Sequence, residues 1–176
     1  DVRVPVANRV GEENQGWTIA KYLLGHERTN IAGVGASTEA LNQLKALGRK
    51  VKRYGKPLAA DPIFAAKVAE VEIDLEAMSM TNLRMLFGRS DAQGSVSSMP
   101  KIKGTVIRQA INDLARRALG PAAAPFPSEE VIGNYGIAPP EAAANAASYF
   151  NNRKLSIFGG SNEIQRNILA KAELGL

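Results

Sequence analysis

Two short stretches carry residue types arranged for chemistry. The first is Phe158-Gly159-Gly160-Ser161-Asn162-Glu163. Two adjacent glycines let backbone approach a ligand closely, and Ser161 is placed to cap a helix whose first N–H groups point back into the same gap. That arrangement suits an electron-rich or anionic group. The second stretch is Leu24-Gly25-His26-Glu27-Arg28-Thr29-Asn30. Glu27 falls three residues after Leu24, four after Leu23 and four before Ile31, on an apolar stripe instead of a wet face. A carboxylate there is neutral, paired or working as a base, and apolar surroundings raise its pKa toward the range useful for proton abstraction. The spacing alone leaves open whether Glu27 is a base or half of a buried ion pair.

Other chemistries find little support. With no Cys and one His, the chain has no disulfide framework or thiolate metal site, and a His-based site is nearly excluded; no metal is expected. Nothing beside His26 builds a triad. The net charge is +5, with cations gathered at Arg49, Lys50, Lys52, Arg53 and Lys56. Only Tyr54 is interleaved with them, so the aromatic platforms of a nucleic-acid surface are missing and no nucleic-acid partner is expected. No window approaches a membrane span and no signal peptide opens the chain, which reads as a soluble cytoplasmic protein with no membrane partner.

The elements that position these residues read as helices. At 176 residues, 45% of them hydrophobic, the chain has the material for one core. Ala20, Leu23, Leu24, Ile31, Val34, Leu41 and Leu44 predict one long helix from about residue 17 to 47. Ile63, Val68, Val71, Leu75, Met78, Leu83 and Leu86 predict a second over 61–87, with Pro62 in its first turn. Ile102, Val106, Ile107, Ile111 and Leu114 place a third over 97–119, ending at Gly120-Pro121. Residues 88–94 read as a turn, and 121–140, with five of the nine prolines, as an irregular excursion. Further helices fit 140–155 and 162–173. The expected fold is all-α, an antiparallel up-and-down bundle of four to five helices.

Both ends of the chain resemble one family. Phe158-Gly159-Gly160-Ser161, then Glu163-Ile164-Gln165-Arg166 and the closing Leu174-Gly175-Leu176, are similar to the end of acyl-CoA dehydrogenases. Asp1-Val2-Arg3-Val4-Pro5 and Val10-Gly11-Glu12-Glu13-Asn14-Gln15-Gly16-Trp17 resemble the exit from that family's middle β-domain into its C-terminal helical domain. The resemblance implies that residues 1–16 are that exit and 17–176 the helical domain, with an N-terminal helical domain and a β-domain missing. It implies FAD as cofactor, an acyl-CoA substrate, and assembly into homodimers or homotetramers, heteromers being an alternative.

It also implies roles. The reaction is oxidation of an acyl-CoA to its 2,3-enoyl thioester, by α-proton abstraction and β-hydride transfer to FAD. Many members carry the base as a Glu on the turn where this chain has Gly159; a second arrangement puts it on the first helix before an Arg, where Glu27-Arg28 stand. Glu27 is then the catalytic base, Arg28 contacts coenzyme A, and Phe158 and Gly159 adjoin the substrate. Gly160, Ser161 and Glu163 face the FAD. The family's Arg-x-x-Phe-Gly motif reaches the FAD diphosphate of a neighbouring subunit; here Tyr54-Gly55 keeps the last pair, Val51 replaces the arginine, and Arg53 or Arg49 substitutes. Gly120, in Ala118-Leu119-Gly120-Pro121, occupies a glycine-rich segment that meets the adenine end. The Gly159 and Val51 departures keep two other readings open: a non-catalytic or half-site subunit of a heteromer, and a flavin oxidase of non-thioester substrates.

Overall fold

The computed structural model describes residues 1–87, 98–126 and 140–176, with the side chains of 25–32 and of 140 outside the description. The described residues form six α-helices: α1 (Gly16–Ala32), α2 (Val34–Lys50), α3 (Pro62–Phe87), α4 (Ser98–Leu119), α5 (Asn145–Asn151) and α6 (Asn162–Leu174). The fold is the all-α antiparallel bundle that the periodicity predicts. Among the described residues no helix is long and apolar enough to cross a membrane.

The long first helix is in fact two. Gly33 takes a left-handed φ of 57° and becomes the N-cap residue of α2, its carbonyl accepting the Ser37 N–H at 2.9 Å. A left-handed residue cannot continue a right-handed helix, and glycine adopts that conformation with no Cβ penalty. The break is held from outside, because Arg108 of α4 donates to the carbonyl of Ala36.

A second departure is a hairpin, where the pattern had suggested helix ends alone. Strands β1 (Lys52–Arg53) and β2 (Lys56–Pro57) pair antiparallel, Arg53 opposite Lys56, around a two-residue turn in which Tyr54 (φ 52°) and Gly55 (φ 79°) are both left-handed. Turns of this kind match the twist of paired strands. The predicted fourth helix is shortened to α5, with 3-10 turns at Pro140–Ala142 and Asn152–Ser156. The expected turn at 88–94 and most of the excursion at 121–140 lie outside the described residues.

Helix α4 is the axis of the domain, touching α1, α2, α3, α5 and α6. Leu41 and Leu44 of α2, Val68, Val71, Leu75 and Met78 of α3, and Ile107, Ile111 and Leu114 of α4 make the main core. A second cluster, Leu47, Leu58, Ala118, Leu119, Ala123 and Ala142, closes the far end. Several residues expected inside are outside: Val106 is 46% exposed, Ile63 69%, Leu83 43%, Leu86 58% and Leu23 56%. On α3 the reason is that the helix is apolar on two sides, and the bundle covers only the side of Val68, Val71, Leu75 and Met78.

Ile111 is 2% exposed and fills the centre of the main core. We expect Ile111→Ala to destabilise the fold by about 2–5 kcal/mol, through lost burial and the cavity left behind, read from the midpoint of urea unfolding.

Candidate functional site

The Gly-Gly stretch forms a tight turn between the 3-10 segment after α5 and the start of α6. The N–H groups of Ile157 and Phe158 both return to the Lys154 carbonyl, at 2.9 and 3.0 Å. The chain then reverses through Gly159 (φ 66°) and Gly160 (φ 84°). Ser161 caps α6, its Oγ accepting the Ile164 N–H at 3.4 Å. Glu163 follows in the first turn, exposed, its carboxyl held below the usual range by its own backbone N–H and by the Ser161 hydroxyl. Phe158 is 45% exposed beside the turn.

Beneath the turn lies a buried polar network. Gln165, 1% exposed, accepts from Ser98 Oγ at 2.7 Å through its Oε1 and donates through Nε2 to the Gly159 carbonyl at 3.4 Å. Gly160 makes room for that reach, since a Cβ there would stand 2.4 Å from Gln165 Nε2. Beside it, Lys101 is 0% exposed and donates from Nζ to Asn162 Oδ1 at 2.8 Å. Asn162 Nδ2 donates to Thr105 Oγ1 at 3.0 Å. Burial lowers the Lys101 pKa from its ordinary value, and the charge of Glu163 partly opposes this.

Sequence reading missed Ser98, Lys101, Thr105 and Gln165. The signal was present: Ser98, Lys101 and Thr105 are three and four residues apart, one helical face. Polar residues at that spacing read as a wet face, and only a helix enclosed by its neighbours buries such a face.

The other expected cofactor residues lie at the far end of α4. The Arg53 guanidinium donates through Nη2 to the Arg117 carbonyl at 3.3 Å, which docks the hairpin there, while Tyr54 is 99% exposed. Gly120 (φ 60°) ends α4 and starts a 3-10 turn. An open cleft of about 350 Å³ separates the hairpin from α3, lined by Arg53, Leu58, Asp61, Phe64, Lys67 and Arg117. The Asp61 carboxylate is engaged, accepting the N–H groups of Ile63 and Phe64 at 2.9 Å each. Lys101 and Arg117 are sixteen residues apart on one helix, roughly 24 Å at 1.5 Å per residue. The predicted site residues are therefore two groups: Phe158, Gly159, Gly160, Ser161 and Glu163 at one end of α4, and Arg53, Tyr54 and Gly120 at the other. Glu27 and Arg28 belong to α1, which packs on α4, and their side chains lie outside the described residues.

The residues present fit a flavin at the turn. Its two left-handed glycines leave the turn as bare backbone, and the capped N-terminus of α6 offers N–H groups and positive dipole. At the far end, burial pushes the Asp113 carboxyl up, but hydrogen bonds from Arg116 and Arg117 outweigh it and hold the carboxyl below its ordinary value. Among the described residues no His, Cys, Asp and Glu cluster has metal-holding geometry.

Two outcomes follow from this geometry. Gly160→Ala would strain a left-handed backbone and displace Gln165, and should destabilise the fold by about 1–3 kcal/mol in a thermal melt. Asp113 titrates lower in the folded chain than in the unfolded one, so its contribution is complete above the unfolded carboxylate range and lost as pH falls through the folded pKa. Asp113→Asn should flatten that part of an acid-unfolding curve and leave the slope above it unchanged.

Residues 14–174 match the acyl-CoA dehydrogenase C-terminal domain family. Acyl-CoA dehydrogenase FadE26 of Mycobacterium tuberculosis is 30% identical over 185 residues, covering 100% of this chain and 44% of the relative. The ChsE4-ChsE5 complex of the same organism superimposes with a TM-score of 0.76 at 28% identity, over 100% of this chain and 44% of that one. PigA with FAD and proline shares the fold, with a TM-score of 0.76 at 19% identity over 100% of this chain and 43% of its own. The chain thus spans less than half the length of the relatives it matches. With its glycine turn, capped last helix and bundle all in place, it belongs to the acyl-CoA dehydrogenase family, as that family's C-terminal helical domain.

Proposed function

We propose that this domain forms the flavin- and substrate-facing helical part of an FAD-dependent acyl-CoA dehydrogenase that uses Glu27 as its base. The observation that carries the reading is the Gly159-Gly160 turn, braced from below by Gln165 and Asn162 and opening at the start of α6. FAD, when bound, supplies the acceptor for the hydride that leaves the substrate β-carbon.

The chain's own residues hold and orient. Ser161 and the first N–H groups of α6 present donors to an electron-rich ring edge, and Gly160 lets Gln165 hold the turn from below. Phe158 offers an apolar wall to the acyl chain, and Arg28 a cation to the coenzyme A portion. The Glu27 carboxylate takes the α-proton, and the electron pair left behind becomes the new C=C bond as the β-hydride departs. Gly159 has no side chain with which to do this, which is the reason for assigning the proton to α1.

The separation of the two residue groups along α4 supports a shared site. One chain would present its turn to one flavin, and Arg53, Tyr54 and Gly120 to the phosphate and adenine portion of a second flavin held by a neighbouring subunit. Partner surface is available, since Ile73, Met80 and Phe87 on the outer side of α3 are 68%, 55% and 82% exposed. We favour a homodimer or homotetramer. A second reading, a non-catalytic subunit of a heteromer, is favoured by Gly159 and Val51 standing where relatives carry working side chains; the ChsE4-ChsE5 neighbour is itself a complex.

The test is anaerobic bleaching of FAD by a panel of acyl-CoAs, in the protein that carries this domain together with its N-terminal half. Glu27→Gln should retain FAD and lose about 10²–10⁴-fold in reduction rate. Equal reduction of parent and variant would move the base elsewhere. A parent that binds FAD but is reduced by none of the panel would favour the heteromer reading.

A further inference from the structure

Lys101 is the most costly residue in the buried network, because an ammonium withdrawn from water loses far more solvation than an amide or hydroxyl does. Methionine would fill much the same space without that loss. Lysines this deeply buried usually keep the charged tip at the surface by extending the aliphatic stem, yet Lys101 is 0% exposed. Its ammonium meets Asn162 Oδ1 at 2.8 Å, and Asn162 is the first residue of α6, directly after the Ser161 cap.

Every group around it is tied to the turn. Thr105 Oγ1 bonds Asn162 and also donates to the Ile102 carbonyl at 2.9 Å. Ser98, one helical turn earlier on α4, holds Gln165, which holds the Gly159 carbonyl. Glu163 is the acidic group whose field reaches Lys101, and it is itself occupied by the helix start. The fold does not require Lys101 for satisfaction of Asn162, because the Thr105 hydroxyl lies 3.3 Å from the same Oδ1 and can turn to it. What Lys101 alone supplies is a fixed positive charge behind the N-terminus of α6, of the same sign as that helix end.

We propose that Lys101 is a positioning residue for the flavin-side turn, its buried ammonium fixing Asn162 and adding a positive charge behind the donors that meet the flavin. The inference rests on the proposed function, since it takes the turn to face FAD. A cation at that place favours the electron-rich, reduced flavin over the oxidised one and tightens its retention.

The experiment uses the full-length holoprotein, with Lys101→Gln and Lys101→Met. Gln keeps a neutral N–H donor on a chain nearly as long, which separates loss of the charge from loss of the hydrogen bond. The flavin midpoint potential is measured by spectroelectrochemistry, FAD dissociation by fluorescence, and unfolding by a thermal melt. Both variants should shift the potential to more negative values and weaken FAD binding about tenfold. Their melting temperatures in the apo form should stay near the parent's, because an expensive burial is removed along with the bond. A variant that melts lower but binds FAD with the parent's affinity and potential would show Lys101 to be structural and overturn the inference alone. A parent that binds no FAD would overturn the inference and the proposed function together.

Discussion

Two side chains from the first turns of α4, Ser98 and Lys101, reach across to Gln165 and Asn162 in the first turns of α6. That pair of buried contacts decides where the glycine turn stands. A turn with two successive left-handed residues has no helical ladder to define it, so its position comes from the groups that hold its ends. Gln165 holds one end through the Gly159 carbonyl, and Asn162 fixes the other behind the Ser161 cap. Because these donors are excluded from water, leaving any one unpaired is unfavourable, and the network specifies a single arrangement.

The same helix carries the opposite end of the domain. Near its C-terminus Asp113 engages Arg116 and Arg117, the Arg117 carbonyl receives Arg53, and Arg116 and Arg153 both stand over the Tyr149 ring, their guanidinium carbons 5.3 and 4.4 Å from its centre. Midway, Gln109 donates to the Asn152 carbonyl at 3.2 Å and Asn112 accepts from Asn152 at 2.7 Å, binding the 3-10 segment after α5 to α4. A rigid rod about 33 Å long, at 1.5 Å per residue, therefore sets the separation between the turn and the hairpin. Loops would not keep the two groups of residues at a constant distance; a packed helix does.

Apolar surface left outside the bundle has a distribution that follows from this design. Helix α3 uses Val68, Val71, Leu75 and Met78 for the core and leaves Ile73, Met80 and Phe87 outside. Exposed apolar residues of that kind on one side of a helix offer surface that another protein body can cover. The acyl-CoA dehydrogenase chains that match this one are more than twice as long, and covering surface is what the rest of such a chain or a second subunit provides.

Much of the fold was legible in the sequence because helix periodicity is local: the apolar spacings on α2, α3 and α4 state which residues can share a face. The glycine turn, the Ser161 cap and the family's closing motif were legible for the same reason, being short and contiguous. The split at Gly33 was not, since whether a glycine stays helical or turns left-handed depends on what grips its neighbours, here Arg108 on the Ala36 carbonyl. The exposure of Val106, Ile63 and Leu23 was likewise decided by how many neighbours surround each helix, a property of the whole bundle. Lys101 is the sharpest case. By residue type it belongs at the surface, and only the enclosure of α4 by the helices around it carries it inside, where water screens its charge less.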